Sequence, residues 1–405
     1  MEYYSTPGQR LLWVDANGLT SRGKAVVAEI TKADDYGLRA SDYALPNMAG
    51  FDAGNASATE QLANAELKIS HAAIDYTYDA RGGRITPTRL SKNLDPTLEL
   101  PKPLEVIEAI RQFQAEHNSY ADGVVGPGTR QLLNTPHRRN MGSPAQIKAI
   151  LLNMERWRWL PRDQGSFYVT VNIPEFTLRV VEEDEVVHTA RVVVGKTNKQ
   201  TPVFSNEMKT VVFGPYWNVP TSIKVGEIRP YVRPAGGGWF GGGRAWNTSV
   251  FQRHDLRIKY GGREVDPASL DWNRVDIRNL HLYQPPGPRN VLGKVKFVFP
   301  NKHDVYMHDT PQKHLFAKPV RAESHGCMRV QNPDQLAGVI LRHDQNWSRA
   351  RTVSALETGY NQHVRLRQKV PVHITYFTLR VNEDGSVTTF GDLYGHDGRM
   401  AAALF

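Results

Sequence analysis

SHGCMRV, residues Ser324 to Val330, holds the only cysteine among the 405 residues of this chain. A histidine stands upstream, at the end of the segment Tyr306-Met307-His308. A cysteine thiol becomes an efficient nucleophile when a nearby imidazole takes its proton. The pattern therefore predicts a nucleophilic centre in which Cys327 attacks and His308 acts as the base. The chain is first of all a candidate enzyme.

The neighbours of the thiol have properties that acyl transfer needs. Gly326 has no side chain, so the backbone N–H groups around Cys327 can come close to a substrate and point at a developing oxyanion. If the segment is extended, residues two apart share a face, which puts Arg329 beside the thiol, where it can pair with a substrate carboxylate. His325 is expected on the opposite face, or orienting the turn. A lone cysteine is usually a small buried hydrophobe, so the surrounding motif is what favours catalysis.

The motif and its spacing resemble the signature of the L,D-transpeptidase catalytic domain of the YkuD type. In that signature a histidine is followed, after a gap, by Ser or Thr, His, Gly and Cys; here fifteen residues separate His308 from Ser324. Other segments are similar to the long periplasmic L,D-transpeptidases of Gram-negative bacteria, and the resemblance runs from about Ile147 to Tyr394. These segments are NMERWRWLP (153–161), FGPYWNVP (213–220) and QPPGP (284–288). His308 is followed by Asp-Thr-Pro rather than the Gly-Thr of the short enzymes, which suits the long branch.

The resemblance implies a role for each residue of the motif. Cys327 is the acylated nucleophile and His308 the general base, while His325 and Gly326 belong to the catalytic turn. Residues expected on the substrate side are Arg329, Ser324 and Tyr306. We expect no cofactor and no metal ion, because the histidines near the motif do not follow His-Glu-x-x-His spacing and no second cysteine is present for a zinc site.

The same resemblance implies acyl transfer on peptidoglycan stem peptides. Cys327 forms a thioester with a tetrapeptide stem and releases D-alanine, and the amine of a second stem then resolves the thioester to give a 3-3 cross-link. Carbapenem β-lactams are expected to trap the thiolate as a stable acyl-enzyme. Two alternatives remain open. Water could be the acceptor, as in an L,D-carboxypeptidase or endopeptidase, or the chain could be a non-catalytic wall-binding scaffold.

Composition narrows the class of protein. With 40% apolar and 22% charged residues, the chain has the composition of a soluble globular protein. No apolar run is long enough to span a bilayer, and the start lacks the basic and apolar regions of a signal peptide. A periplasmic location therefore rests on the resemblance, with a leader or anchor expected to be missing from the sequence given. The net charge is +9, but the basic residues are scattered and form no nucleic-acid-binding module.

The N-terminal part is predicted to be helical. Residues 1–103 form a scaffold with helices near Thr20 to Asp34 and Thr59 to Tyr76, where apolar residues recur at helical spacing. Residues 104–145 carry a helix, an Asp-Gly turn at Asp122 and a second helix. They resemble the latter half of a three-helix peptidoglycan-binding module, although a simple helical hairpin fits as well.

Residues 146–405 are predicted to form the catalytic domain of an α+β protein, β-rich and mainly antiparallel in a sandwich-like arrangement. The last predicted strands are Val370 to Asn382 and Val387 to Phe390. Asn332 is expected to cap a helix that follows the motif.

An insertion over 221–282 interrupts the strands. It contains GGGWFGGG at 236–243, where glycines around Trp239 and Phe240 suggest a mobile lid whose rings cover a ligand. A flexible surface loop is the alternative reading of this segment.

Overall fold

The structure is a computed structural model that describes residues 11–98, 100, 143–234, 246–382 and 386–405. Two predicted features lie outside these residues: almost all of the helical module at 104–145, and the aromatic pair Trp239 and Phe240. The chain divides into two compact units. The first comprises residues 1–91, 96–163 and 377–405, and the second comprises residues 92–95 and 164–376.

The first unit is mainly helical. It begins with the strand pair β1 (Val14–Asp15) and β2 (Gly18–Leu19), followed by the helices α1 (Ser21–Ile30), α2 (Ala58–Gly82), α3 (Pro87–Leu90) and α4 (Pro144–Trp157). The two helices predicted in the scaffold are confirmed, although the first ends earlier than expected and the second runs on to Gly82. Its core has apolar side chains at helical spacing, including Ile30 and Ile69, which are fully buried.

The second unit contains the strands β3 (Phe167–Asn172), β4 (Thr177–Glu182), β5 (Glu185–Gly195), β6 (Phe204–Phe213), β7 (Trp217–Asn218), β8 (Arg233–Pro234), β9 (Trp246–Asn247), β10 (Arg257–Tyr260), β11 (Arg263–Val265), β12 (His281–Gln284), β13 (Val295–Val298), β14 (Met307–His308), β15 (Ala322–Ser324), β16 (Met328–Val330) and β17 (Gln362–Thr375). Its helices are α5 (Thr221–Ile223), α6 (Ser249–Arg253), α7 (Pro333–Gln345) and α8 (Arg349–Glu357), together with a π-helical turn over Lys224–Ile228.

Nine of these strands form one large sheet in the order β15-β5-β16-β14-β13-β6-β17-β3-β4. Most neighbours are antiparallel, and the parallel pairs are β14 with β16, β15 with β5, and β17 with β3. Because β4 also pairs with β5, the sheet curls round a core of Val, Ile, Leu and Phe side chains. The predicted α+β class with a β-rich, mainly antiparallel catalytic part is confirmed.

The insertion folds round a small core of its own. Its strands β10 and β11 join β12 and β7, which lie at the ends of the insertion, in the four-stranded sheet β11-β10-β12-β7. Phe251 is buried against Trp272, and their ring centres are 5.6 Å apart. Lys224 is buried in this core and donates to the carbonyl of Leu280 at 2.8 Å. The predicted boundaries of the domains, including the lid, stay predictions.

Two local predictions were wrong. Asn332 precedes helix α7 in the left-handed conformation, with φ of 47°, and its side chain makes no capping hydrogen bond. The predicted strand Val370 to Asn382 is two strands, because β17 ends at Thr375. The backbone N–H of Thr378 donates to the side chain of Asn153 at 2.9 Å instead of a neighbouring strand.

After this break the chain forms β18 (Leu379–Val381), β19 (Val387–Thr389) and α9 (His396–Leu404) in the first unit. The pairing of β18 with β19 is antiparallel, as predicted. No helix within the described ranges is long and apolar enough to cross a membrane.

Candidate active site

Strand register brings four of the predicted site residues onto one face of the large sheet. In the parallel pair β14–β16, His308 lies opposite Arg329, and on the other side of β14 it lies opposite Lys296 of β13. Residues that face each other across a sheet point to the same side. Tyr306 comes just before β14, and its carbonyl accepts a hydrogen bond from the N–H of Met328 at 3.1 Å, which places Cys327 beside Tyr306.

The thiol of Cys327 lies among polar groups that shift its pKa. Cys327 is half-buried, and its sulfur lies 4.0 Å from the carbonyl oxygen of Asp304. The side chain of Tyr306 interacts with the sulfur and with the side chain of Trp217. Burial raises the pKa of the thiol, while Tyr306 and the nearby Lys296 ammonium offset part of this rise. The resting form at neutral pH is therefore the thiol.

His308 is a neutral base in this structure. It is 6% exposed, and its Nδ1 lies 2.5 Å from the carbonyl oxygen of Asp309. A carbonyl only accepts, so Nδ1 carries the proton and Nε2 keeps its lone pair. Burial, together with the positive charge of Arg329, lowers the pKa of His308 to about 3.

Asp309 holds this arrangement in place. Its carboxylate accepts the backbone N–H of Lys294 at 2.8 Å and pairs with the ammonium of Lys313. Gly293 turns the chain here with φ of 61°, and a Cβ at this position would overlap with the carboxylate. The peptide that orients the imidazole is therefore fixed by contacts on both of its sides.

The turn before the thiol is closed by two hydroxyl groups. Ser324 Oγ donates to the carbonyl of Cys327 at 2.5 Å and accepts the N–H of Gly326 at 3.1 Å. Thr201 Oγ1 donates to the carbonyl of Gly326 at 2.8 Å and accepts the N–H of Gly195 at 2.9 Å. Gly326 has φ of 117°, which L side chains rarely adopt. This turn presents the sulfur at the start of β16.

His325 and Arg329 make different contacts on either side of the turn. The Nε2 of His325 lies 2.5 Å from Glu227, a residue of the insertion that also lies 3.3 Å from Lys199. Burial raises the pKa of Glu227, but the hydrogen bond and charge of His325 outweigh it and hold that pKa below its usual value. Arg329 donates to the side chain of Gln312 at 2.6 Å.

The sequence profile of the L,D-transpeptidase catalytic domain, YkuD, matches residues 166–370, which is just over half of the chain. The chain belongs to the L,D-transpeptidase family. The resemblance drawn from the motif is thereby confirmed, and both Cys327 and His308 lie inside the matched range. A second profile, called Scaffold domain, matches residues 1–119.

A curated relative is a candidate L,D-transpeptidase from Haemophilus influenzae, 24% identical over 384 residues, with 89% of this chain and 74% of that protein covered. Among solved structures, an L,D-transpeptidase from Mycobacterium smegmatis is 13% identical with a TM-score of 0.24, covering 52% of this chain and 58% of its own. An L,D-transpeptidase from Xylanimonas cellulosilytica is 14% identical with a TM-score of 0.21, covering 71% and 90%. The chain thus spans less than two thirds of the length of the Mycobacterium smegmatis structure.

The structure of this L,D-transpeptidase brings together Tyr306, His308, Cys327 and Arg329 on one face of the sheet. Ser324 closes the turn with its hydroxyl, and His325 contacts the insertion. Sequence reasoning missed Lys296 and assigned no role to Trp217. The signal for Lys296 was a lone charged residue within Val-Lys-Phe-Val-Phe, an otherwise apolar strand.

Proposed function

We propose that this protein is a cysteine L,D-transpeptidase that cross-links peptidoglycan stems. In the first half-reaction the Cys327 thiol attacks the carbonyl between the L-centre and the terminal D-alanine of a tetrapeptide stem. In the second, the amine of another stem attacks the thioester. The observation that supports the proposal best is the strand register that puts Cys327, Tyr306 and His308 on one face of the sheet, with the imidazole neutral and the thiol protonated at rest.

Proton transfer in the first half-reaction follows from the two shifted pKa values. The lowered pKa of His308 and the raised pKa of Cys327 keep the pair neutral at rest. As the sulfur bonds to the carbonyl carbon, Nε2 of His308 takes the thiol proton. The tetrahedral intermediate then expels the D-alanine amine, which receives that proton, and the thioester remains. In the second half-reaction the imidazole takes a proton from the attacking amine and returns it to the sulfur.

The oxyanion is expected near the N–H of Cys327. Of three consecutive amides at the turn, that of Gly326 donates to Ser324 and that of Met328 donates to Tyr306. The Cys327 amide has no such partner among the described residues. The hydroxyl of Tyr306 lies on the same side as the sulfur, so it is the second donor that we assign to the developing negative charge.

The finer aspects of the proposal come from the family rather than from the geometry. We place the enzyme in the periplasm, where its substrate is located, and we expect carbapenems to acylate Cys327. The acceptor distinguishes the two enzymatic readings: an amine gives a cross-linked dimer, whereas water gives a tripeptide stem and no dimer.

The test combines mass spectrometry with product analysis. Intact-protein spectra after incubation with a carbapenem should show an adduct on the wild type and none on Cys327→Ala. Incubation with a purified tetrapeptide stem should release D-alanine and yield a cross-linked dimer. Release of D-alanine without dimer would replace the transpeptidase by a carboxypeptidase. If the folded, reduced wild type gave neither adduct nor D-alanine, the non-catalytic scaffold would be the better reading.

A further inference from the structure

A cavity of about 330 Å³ lies on the catalytic face of the large sheet. Its floor is formed by alternate residues of β6, β13 and β17, including Val212, Lys296 and His363. Its wall is formed by the chain that leaves β6, with Tyr216 and Asn218, and by Asn361. None of these residues is part of the acyl-transfer steps derived above.

Register connects this cavity to the thiol. His363, Val212, Lys296 and His308 lie directly opposite one another on successive strands and form one row across the sheet. Lys296 is thus the side chain shared by the cavity and the catalytic residues, and its ammonium lies 3.6 Å from the centre of the Tyr306 ring. Neighbouring strands are about 4.8 Å apart, so the backbone of Lys296 lies roughly 10 Å from the strand that follows Cys327, and its side chain reaches back over the Tyr306 ring toward the sulfur.

The charges in the cavity have one sign. None of the residues lining it is an Asp or Glu, and Lys296 forms no ion pair with any carboxylate in the part of the chain that the structure describes. Burial disfavours the charged form of Lys296 and lowers its pKa, while the neighbouring Cys327 opposes the shift. A half-buried cation lacking an anion is an unfavourable arrangement unless a ligand supplies the anion. The side chains of Asn218 and Asn361 add hydrogen-bond donors.

We propose that this cavity is a subsite for a free carboxylate of the stem peptide, with Lys296 as its ion-pair partner. The inference rests on the proposed function, because that function makes an acidic peptide the ligand. The carboxylate is that of the diamino acid side chain, which both the donor stem and the acceptor stem carry in a diaminopimelate-type wall.

The experiment pairs a change in the protein with a change in the ligand. Lys296→Met and Lys296→Arg are compared with the wild type and with Lys294→Met, which removes the same charge at an exposed position outside the cavity lining. Each protein is given a tetrapeptide stem whose side-chain carboxylate is either free or amidated. D-alanine release reports the donor stem, and dimer formation by a preformed acyl-enzyme reports the acceptor stem.

We expect Lys296→Met to lower kcat/KM for the free-carboxylate stem by about 10- to 100-fold, mainly through KM, since a charge-assisted hydrogen bond is lost. Amidation should cost the wild type a similar factor and should cost Lys296→Met nothing further. Lys296→Arg should retain most of the activity and Lys294→Met all of it. A loss confined to D-alanine release would assign the subsite to the donor stem, and a loss confined to dimer formation would assign it to the acceptor.

Two results would overturn the inference. One is a wild type that handles free and amidated stems equally well. The other is an equal loss by Lys296→Met for both stems, as expected if Lys296 only positions the Tyr306 ring. Binding of both stems to Cys327→Ala and to the double variant Cys327→Ala/Lys296→Met, followed by calorimetry, tests the subsite without turnover. If the proposed function itself were wrong, the wild type would release no D-alanine from either stem.

Discussion

The two units of this protein each bury a histidine next to a tyrosine two residues earlier in the chain. In the sheet unit, the rings of Tyr306 and His308 meet edge to face with centres 5.6 Å apart. In the helical unit, Tyr394 and His396 meet in the same way at 5.8 Å. Burial and neighbouring arginines lower the pKa of His308 to about 3 and that of His396 to about 4. By burial, ring contact and pKa, the two histidines are nearly alike.

The difference lies in what the neighbouring elements present to each ring. His308 lies on a strand whose parallel neighbour carries Cys327, with Lys296 opposite on the other side. His396 begins helix α9, where the carboxylate of Asp392 accepts its backbone N–H at 2.8 Å, so its surroundings stabilise a helix end. A buried histidine of low pKa is thus common to the proposed active site and to a structural one. The proposed nucleophile Cys327, just before the adjacent strand β16, is what distinguishes them.

Replacing each histidine should separate the two roles most strongly. We expect His308→Gln to slow acylation of Cys327 by a carbapenem about 10²- to 10⁴-fold, because the general base is lost. The matched variant His396→Gln should acylate at a rate within about twofold of the wild type. Time-resolved intact-protein mass spectra give both rates. Similar losses in both variants would show that the assay follows folding rather than catalysis, and circular dichroism spectra control for that.

The pH dependence of acylation tests whether His308 stays neutral in acid. An imidazole of ordinary pKa near 6.5 would be mostly protonated at pH 5 and would cost about 30-fold in rate. His308, with its pKa lowered to about 3, stays neutral there. We therefore expect the acylation rate of the wild type to be nearly constant between about pH 5 and 8. An inflection near pH 6.5 in the rate profile would contradict the buried neutral base.

Stability should respond to acid through both histidines. Each folded-state pKa lies below the unfolded value of 6.5, so the unfolded chain binds more protons and stability falls as the pH drops below about 6.5. At pH 5, 1.5 units below 6.5, each histidine lowers the free energy of unfolding by about 2 kcal/mol. Scanning calorimetry from pH 8 to pH 5 measures this loss.

The two glutamine variants show how much each histidine contributes to the loss of stability at low pH. Each variant should lose about half as much free energy of unfolding between pH 8 and pH 5 through these two positions as the wild type does, since glutamine does not titrate. If neither variant changed the pH dependence of unfolding, then neither imidazole would be held neutral in the fold.

Replacing the two tyrosines should give the smallest difference in acylation rate between the two units. Tyr306→Phe removes the hydroxyl near the sulfur, and we expect acylation to fall about 10-fold, as for the loss of one hydrogen bond to a charged group worth about 1.5 kcal/mol. Tyr394→Phe keeps the equivalent ring contact and should leave acylation unchanged. Equal rates for Tyr306→Phe and the wild type would assign the oxyanion to backbone donors alone.

Local patterns predicted a good part of the fold. Helical spacing of apolar residues located α1 and α2, and the sequence after residue 146 was correctly predicted to be β-rich, because both patterns are properties of a few neighbouring residues. The same reasoning failed at Val370 to Asn382. There the strand ends because Asn153, more than two hundred residues away in the chain, takes the N–H of Thr378. The local sequence likewise did not predict the left-handed conformation of Asn332.

The sequence by itself determined the family of this protein, because one cysteine, an upstream histidine and a glycine stand in an order that resembles the L,D-transpeptidase motif. The tertiary structure alone decided which residues accompany them. Lys296, Trp217 and Asp309 reach the site through the pairing of β13 with β14, the departure of the chain from β6, and the contact of a backbone carbonyl with the imidazole. Cross-strand register depends on packing between distant segments, whereas a motif depends on adjacent residues. The raised pKa of Cys327 and the lowered pKa of His308 were also decided by the tertiary structure, since burial is a property of the whole fold.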